Sequence, residues 1–163
     1  MKQLWAPWRM VYIDQETKDE GCIFCERSRQ IDPREALVLN QTKHSMIMLN
    51  KYPYNNGHIL LAPKRHENKI DALPQDEHAD LQEALRRSVA IVRAVLNPGG
   101  INLGMNIGKC AGAGVEDHLH WHVVPRWGGD TNFMPVLNET RVMPQHLLES
   151  YDRLKPHFES IAK

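Results

Sequence analysis

No excess of charge marks this chain: its 163 residues carry 20 Lys+Arg against 20 Asp+Glu. A balance of that kind excludes a nucleic-acid coat or a membrane-surface binder, both of which need a basic excess. A polyanionic substrate would have to be held locally, by backbone amides, histidines and a few basic side chains. No apolar run approaches the ~20 residues of a transmembrane helix, and no secretory apolar segment opens the sequence. The expectation is a soluble, cytoplasmic protein. Cysteine is scarce, with three residues, which argues against a disulfide scaffold. Two of them form Cys22-Ile23-Phe24-Cys25, in a cytoplasmic chain a metal knuckle or a redox pair rather than a structural disulfide. Cys110 stands alone and acquires no role. Repeats and long low-complexity linkers are also missing, and the length fits one domain over residues 1–163.

Against these absences stands one dense cluster of chemistry, His118-Leu119-His120-Trp121-His122-Val123-Val124. Its β-branched and aromatic content predicts a strand over 118–124, stopped by Pro125 and Gly128-Gly129. Alternation on a strand puts the three histidines on one face, each about 6–7 Å from the next, with Leu119, Trp121 and Val123 turned to a core. Three imidazoles on one face point to metal binding, acid–base chemistry or nucleophilic chemistry, because histidine ionises near neutral pH.

The rest of the chain supplies a frame. Residues 1–20 form an arm rich in aromatics (Trp5, Trp8, Tyr12) that should dock on this domain or on a partner subunit. Short strands are expected at 36–39, 45–49, 58–62 and 101–107, with turns at 40–44 and 50–57. Residues 74–96 read as the main helix, with Leu81, Leu85, Val89, Val92 and Leu96 in one stripe. Residues 145–161 read as a shorter helix that Pro156 should kink or break. The pattern predicts an α+β fold: a mostly antiparallel sheet of about five strands, one long helix and a C-terminal helix. Between the 101–107 strand and the histidines lies a glycine-rich loop. Gly108, Gly112 and Gly114 there can turn backbone N–H groups toward phosphate, with Lys109 as a charge and Asn106 as an amide donor.

The His-x-His-x-His strand with its two apolar residues, the loop Asn50-Lys51-Tyr52-Pro53-Tyr54-Asn55-Asn56-Gly57-His58, and Pro63-Lys64-Arg65-His66 together resemble the histidine-triad (HIT) family. The resemblance spans roughly residues 20–126, and it divides the chain into the arm (1–20), a core (22–126) and an extension (127–163). The flanks Trp5-Ala6-Pro7-Trp8-Arg9-Met10 and 124–133 resemble the bacterial diadenosine tetraphosphate phosphorylase branch. One stretch departs from the family: Gly114-Val115-Glu116-Asp117 stands where many members carry Gln-Ser/Thr-Val, so the phosphate grip must differ.

The resemblance implies a nucleotidyl hydrolase or transferase that cleaves diadenosine polyphosphates at an α-phosphate, with phosphate favoured over water as acceptor. It makes His120 the nucleophile, with His122 gripping a phosphate oxygen or assisting the leaving group and His58 supporting the triad. It matches Asn50 to a ribose contact and Met48 to a base-pocket wall. It also implies a structural zinc, one per chain, on Cys22, Cys25, His66 and His118, since a closed four-ligand shell leaves no place for water. A homodimer is implied as well. Rival readings are a phosphoramidate or aminoacyl-adenylate hydrolase, and a zinc-stabilised nucleotide-binding protein with incidental turnover. A nucleotide–sugar-phosphate transferase is disfavoured because that branch carries glutamine at the position of His122.

Overall fold

The computed structural model describes residues 21–130 and 145–159; the aromatic arm at 1–20 and the branch-like Thr131-Asn132-Phe133 lie outside the described residues. The elements are α1 (Ile23–Arg27), β1 (Val38–Gln41), β2 (Ser45–Leu49), β3 (Ile59–Pro63), α2 (Gln75–Leu96), β4 (Gly100–Met105), β5 (Trp121–Arg126) and α3 (Leu147–Phe158). Short 3-10 turns fall at Ile70–Ala72 and Lys109–Ala111. The strands form one antiparallel sheet in the order β1-β2-β3-β5-β4, the α+β architecture the sequence predicts.

Both faces of this sheet are covered over β2 and β3, which explains why those strands read as unbroken apolar runs. One face packs Ile47, Leu49, Ile59, Leu61 and Val123 against Leu81, Ala84, Leu85, Val92 and Leu96 of α2 and Tyr151, Leu154 and Phe158 of α3. The opposite face carries a smaller cluster of Phe24, Ala36, Val38, Met46, Met48, Leu60 and Ala62. Polar ties set the long helix on the sheet. Arg65, just past β3, grips Glu77 in its first turn through two hydrogen bonds of 2.9 and 2.6 Å. Ser45 donates to Asp80 at 2.6 Å. The helix ends where Asn97 turns left-handed at φ 47°.

Two prolines behave differently from expectation. Pro125 does not stop the histidine strand, since β5 runs through it to Arg126 and pairs it with Ile101 of β4. The reason is direction: the Pro125 carbonyl points away from β4 and accepts from Asn55 Nδ2 at 3.0 Å. The missing N–H points the same way, toward a side that β3 has already left. Pro156 does not break α3, which runs through it to Phe158; it falls in the last turn, so little helix lies beyond it to be lost. The fully buried Leu154 and Phe158 hold that turn on the core.

The histidine strand also starts later than the 118–124 reading. Leu119 donates its amide to the Glu67 carbonyl at 2.8 Å, and the His118 ring reaches the Pro63 carbonyl at 2.8 Å. The chain therefore joins the β3 ladder only at Trp121, opposite Leu61.

Gly57 carries the turn that delivers His58 to the sheet. Its φ is +68°, and a Cβ there would lie 2.4 Å from Leu96 Cδ1. Gly57→Ala should cost about 2 kcal/mol or more through left-handed strain plus overpacking, read as a lower urea midpoint. Gly100→Ala is the control, because a Cβ at that position meets nothing within 4 Å among the described residues.

Candidate functional site

The sheet register builds the site on the face away from α2 and α3. Met48, Leu60, His122 and Gly104 stand side by side across β2, β3, β5 and β4. His58, immediately before β3, joins from the neighbouring row, its carbonyl accepting the Asn50 amide at 2.9 Å. All three triad histidines and His58 are buried. Their rings form a contiguous set: His58 and His122 centroids are 5.1 Å apart, and those of His120 and His122 4.9 Å apart.

The hydrogen bonds assign a proton to each ring. Tyr54 donates its backbone N–H to His58 Nδ1 at 3.0 Å, and Asn50 Nδ2 lies 3.3 Å from the same atom. A nitrogen that accepts carries no proton, so neutral His58 holds its proton on Nε2 and donates it to His122 Nδ1 at 2.9 Å. His122 is then protonated on Nε2, a buried atom without a hydrogen-bond partner among the described residues. His120 is held the opposite way. Its Nδ1 lies 2.9 Å from the His118 carbonyl, which can only accept, so Nε2 is left with a lone pair.

The two central imidazoles thus present complementary chemistry. His120 offers a bare nitrogen and His122 offers an N–H. Burial keeps both neutral: it lowers the His120 pKa against the opposing pull of the His118 carbonyl. At His122 burial, and then the nearby His120, push the pKa down to about 4. A neutral imidazole with a free lone pair is a nucleophile at neutral pH, and an N–H beside it can bind an oxyanion.

Cys22, Cys25, His66 and His118 converge next to this pair, their four donor atoms all within 4.8 Å of one another. Cys22 Sγ is 3.1 Å from His118 Nδ1, Cys25 Sγ is 3.5 Å from His66 Nδ1, and Cys25 Sγ is 3.8 Å from His118 Nδ1. Donors around a tetrahedral zinc with bonds of about 2.0–2.3 Å stand roughly 3.3–3.8 Å apart, so this quartet can hold such an ion. The His118 Nε2–H is committed to the Pro63 carbonyl, which turns a bare Nδ1 toward the sulfurs, the outer support a ligand histidine needs. Burial and the adjacent Cys22 sulfur raise the Cys25 thiol pKa; a cation at this point would reverse that.

The remaining predicted residues serve in different ways. Asn50 accepts the Tyr52 amide at 2.9 Å through its side-chain oxygen and turns its nitrogen to His58, so it supports that ring's tautomer. Met48 is 1 % exposed, in the apolar layer with Phe24, Val38 and Leu60. Asn106 Nδ2 donates to the Gly112 carbonyl at 3.3 Å and so braces the glycine-rich loop. Gly108 and Gly112 take left-handed φ of 81° and 82° around the Lys109–Ala111 turn. Lys109 and Gly114 are exposed. Two residues escaped the sequence reading. Phe24, inside the cysteine knuckle, packs its ring 4.9 Å from both His118 and His120. Tyr54 lies 13° from the His122 plane at 5.5 Å and 4.6 Å from His58. Both stand inside motifs that were noticed, but only tertiary structure brings their rings to the histidines.

The profile of the HIT domain matches residues 33–129. A protein of Mycobacterium tuberculosis named AP-4-A phosphorylase is 34 % identical over 157 residues, covering 92 % of this chain and 80 % of that protein. An adenosine 5'-monophosphoramidase of Saccharomyces cerevisiae is 31 % identical over 110 residues, covering 68 % of this chain and 65 % of the relative. Among solved structures, a zinc-bound histidine triad family protein from Mycobacterium smegmatis superposes with a TM-score of 0.67 at 26 % identity, over 87 % of this chain and 96 % of that one.

The depressed His122 pKa has a thermodynamic signature. An unfolded histidine ionises near 6.5, whereas folded His122 stays neutral down to about 4. Between those values the unfolded chain binds more protons, so stability falls as the pH drops through the window. The urea midpoint of the wild type should therefore fall more between pH 7 and pH 4.5 than that of His122→Asn. Equal losses in the two proteins would contradict the assignment.

Proposed function

The chain belongs to the HIT family, and we propose that within it the protein transfers an adenylyl group from diadenosine polyphosphates by way of His120. The observation that carries this reading is the opposed tautomers, a lone pair on His120 Nε2 beside a proton on His122 Nε2. His120 Nε2 attacks the α-phosphorus; the N–P bond forms as the bond to the bridging oxygen breaks, and the distal nucleotide leaves with that oxygen. The phosphorylated ring becomes cationic, and its Nδ1–H remains bonded to the His118 carbonyl, which favours the charge. His122 Nε2–H binds a phosphoryl oxygen, and His58 and Asn50 hold His122 in the donating form. Inorganic phosphate then attacks the same phosphorus and restores His120. The enzymes among its relatives, named as a phosphorylase, a triphosphatase and a phosphoramidase, support the substrate class, and the phosphorylase supports phosphate as acceptor.

Further parts of the reading concern assembly. Cys22, Cys25, His66 and His118 would hold one structural zinc per chain, which when bound fastens the cysteine knuckle to the residue that orients His120. The edge strand β4, with Leu103 half exposed, suits pairing with a second copy to make a homodimer. Free thiols at Cys22, Cys25 and Cys110 suit a reducing compartment such as the cytoplasm. In the loop at 108–114 the amides of Gly108, Gly112 and Gly114, with Lys109, would meet the phosphate chain, Asn106 bracing them. Asn50 and Met48 would lie at the nucleoside end.

Incubation with diadenosine tetraphosphate should give ADP plus ATP only when inorganic phosphate is present, and His120→Ala should lose roughly a thousandfold or more in turnover. AMP plus ATP irrespective of phosphate would make water the acceptor, and full activity of His120→Ala would end the mechanism. Native mass spectrometry of dialysed protein should show two chains carrying two zinc ions. A metal-free species would remove the zinc, and a single-chain mass would remove the dimer.

A further inference from the structure

A tyrosine that is almost half exposed ordinarily contributes little, yet Tyr54 makes three contacts with the two histidines behind the nucleophile. Its amide donates to His58 Nδ1 at 3.0 Å. Its ring lies nearly parallel to His122, at 13° and 5.5 Å, and tilts against His58 at 42° and 4.6 Å. One aromatic ring therefore spans both partners of the 2.9 Å His58–His122 hydrogen bond. The loop that carries it is pinned at both ends. Asn50 accepts the Tyr52 amide at 2.9 Å. Beyond Tyr54, Asn55 Nδ2 reaches Pro125 O at 3.0 Å and Asp130 Oδ2 at 2.7 Å, and its carbonyl accepts the His58 amide.

We propose that Tyr54 is a positioning residue, whose amide sets the His58 tautomer and whose ring fixes the His122 imidazole with Nε2–H turned into the site. The two effects act in sequence. An N–H donor at His58 Nδ1 forces the His58 proton to Nε2, and that proton places the His122 proton on its own Nε2 as long as the His122 ring is held against it. A hydrogen bond between two neutral imidazoles can reverse its sense if both rings change tautomer, with water relaying the protons. The backbone donor forbids the reversal at His58. The phenol ring covers the pair and stacks on His122 in the offset manner aromatic rings favour. His122, facing His120 on its other side at 4.9 Å, has little room to rotate. The consequence for catalysis rests on the adenylyl-transfer reading above; the tautomer does not.

Long-range proton–nitrogen NMR of histidine-labelled, nucleotide-free protein tests the tautomer directly. His58 and His122 should each appear as a single Nε2–H form in the wild type and in Tyr54→Phe, which keeps the ring. In Tyr54→Leu, which keeps the backbone amide but loses the ring, His58 should remain the Nε2–H form while the His122 nitrogens move toward the averaged values of a freely exchanging ring. With diadenosine tetraphosphate, Tyr54→Leu should lose about tenfold or more in kcat, as loss of an orienting neighbour does, with KM within about twofold, and Tyr54→Phe should restore most of the rate. A tautomer mixture at His122 in the wild type would overturn the proposal without any variant. So would a Tyr54→Leu protein that keeps the single tautomer, or one whose loss lies in KM alone, which would make Tyr54 a substrate contact. The spectra need no substrate, so they stand whether or not diadenosine tetraphosphate is turned over.

Discussion

An imidazole can attack phosphorus only from a nitrogen that carries no proton, and one backbone carbonyl decides which nitrogen that is. The His118 carbonyl, 2.9 Å from His120 Nδ1, accepts and cannot donate, so the His120 lone pair faces the site at Nε2. His118 is itself anchored twice over, its Nε2 on Pro63 and its Nδ1 toward the cysteine sulfurs. The orientation of the His120 ring thus depends on a residue whose side chain is occupied elsewhere. The divergence of the chain from the β3 ladder before Trp121 makes this possible. Within a regular ladder the His118 carbonyl would bond to a neighbouring strand or point away from the His120 ring, and the ring would lose its acceptor.

The two faces of the sheet divide the work. The helix-covered face has the larger cluster and the only long helix among the described residues, so it supplies most of the apolar burial. The other face is thinner, with small residues such as Ala62 in β3 and Gly104 in β4, beside His122. Its cluster carries Phe24 beneath both His118 and His120. The imidazoles on this face are nonetheless buried, and that burial keeps His120 and His122 neutral.

Most of this frame was legible in the chain. Short apolar runs, the stripe from Leu81 to Leu96 and the turn chemistry before His58 are local signals, and they placed five elements within two residues. The metal quartet was legible through resemblance, since nothing local links Cys22 to His118. What escaped has a common cause. Pro125 and Pro156 were read as breakers because local rules ask only whether an N–H is missing. For Pro125 the effect of that loss depends on where the N–H would have pointed, toward a side where β3 begins only at Ile59 opposite Val123; for Pro156 it depends on how little helix follows. Tyr54 and Phe24 were passed over for a related reason. An aromatic residue between prolines, asparagines or cysteines carries no periodicity, and its importance lies in rings far along the chain.

The spacing of the quartet along the polypeptide has a consequence for how the molecule comes to be made. Its donors stand 41 residues apart between Cys25 and His66, and 96 apart between Cys22 and His118. An ion held there acts as a cross-link across both intervals, and it removes chain entropy from the unfolded ensemble as a long covalent loop would. It can form only after β1, β2, β3, α2 and β4 have been synthesised, since all lie between the first ligand and the last. A chain halted before residue 118 lacks both the fourth donor of the quartet and His120, which follows two residues later. Completion of the quartet and arrival of His120 thus fall together in biosynthesis, and an unfinished chain can have neither the clasp nor the paired imidazoles of His120 and His122.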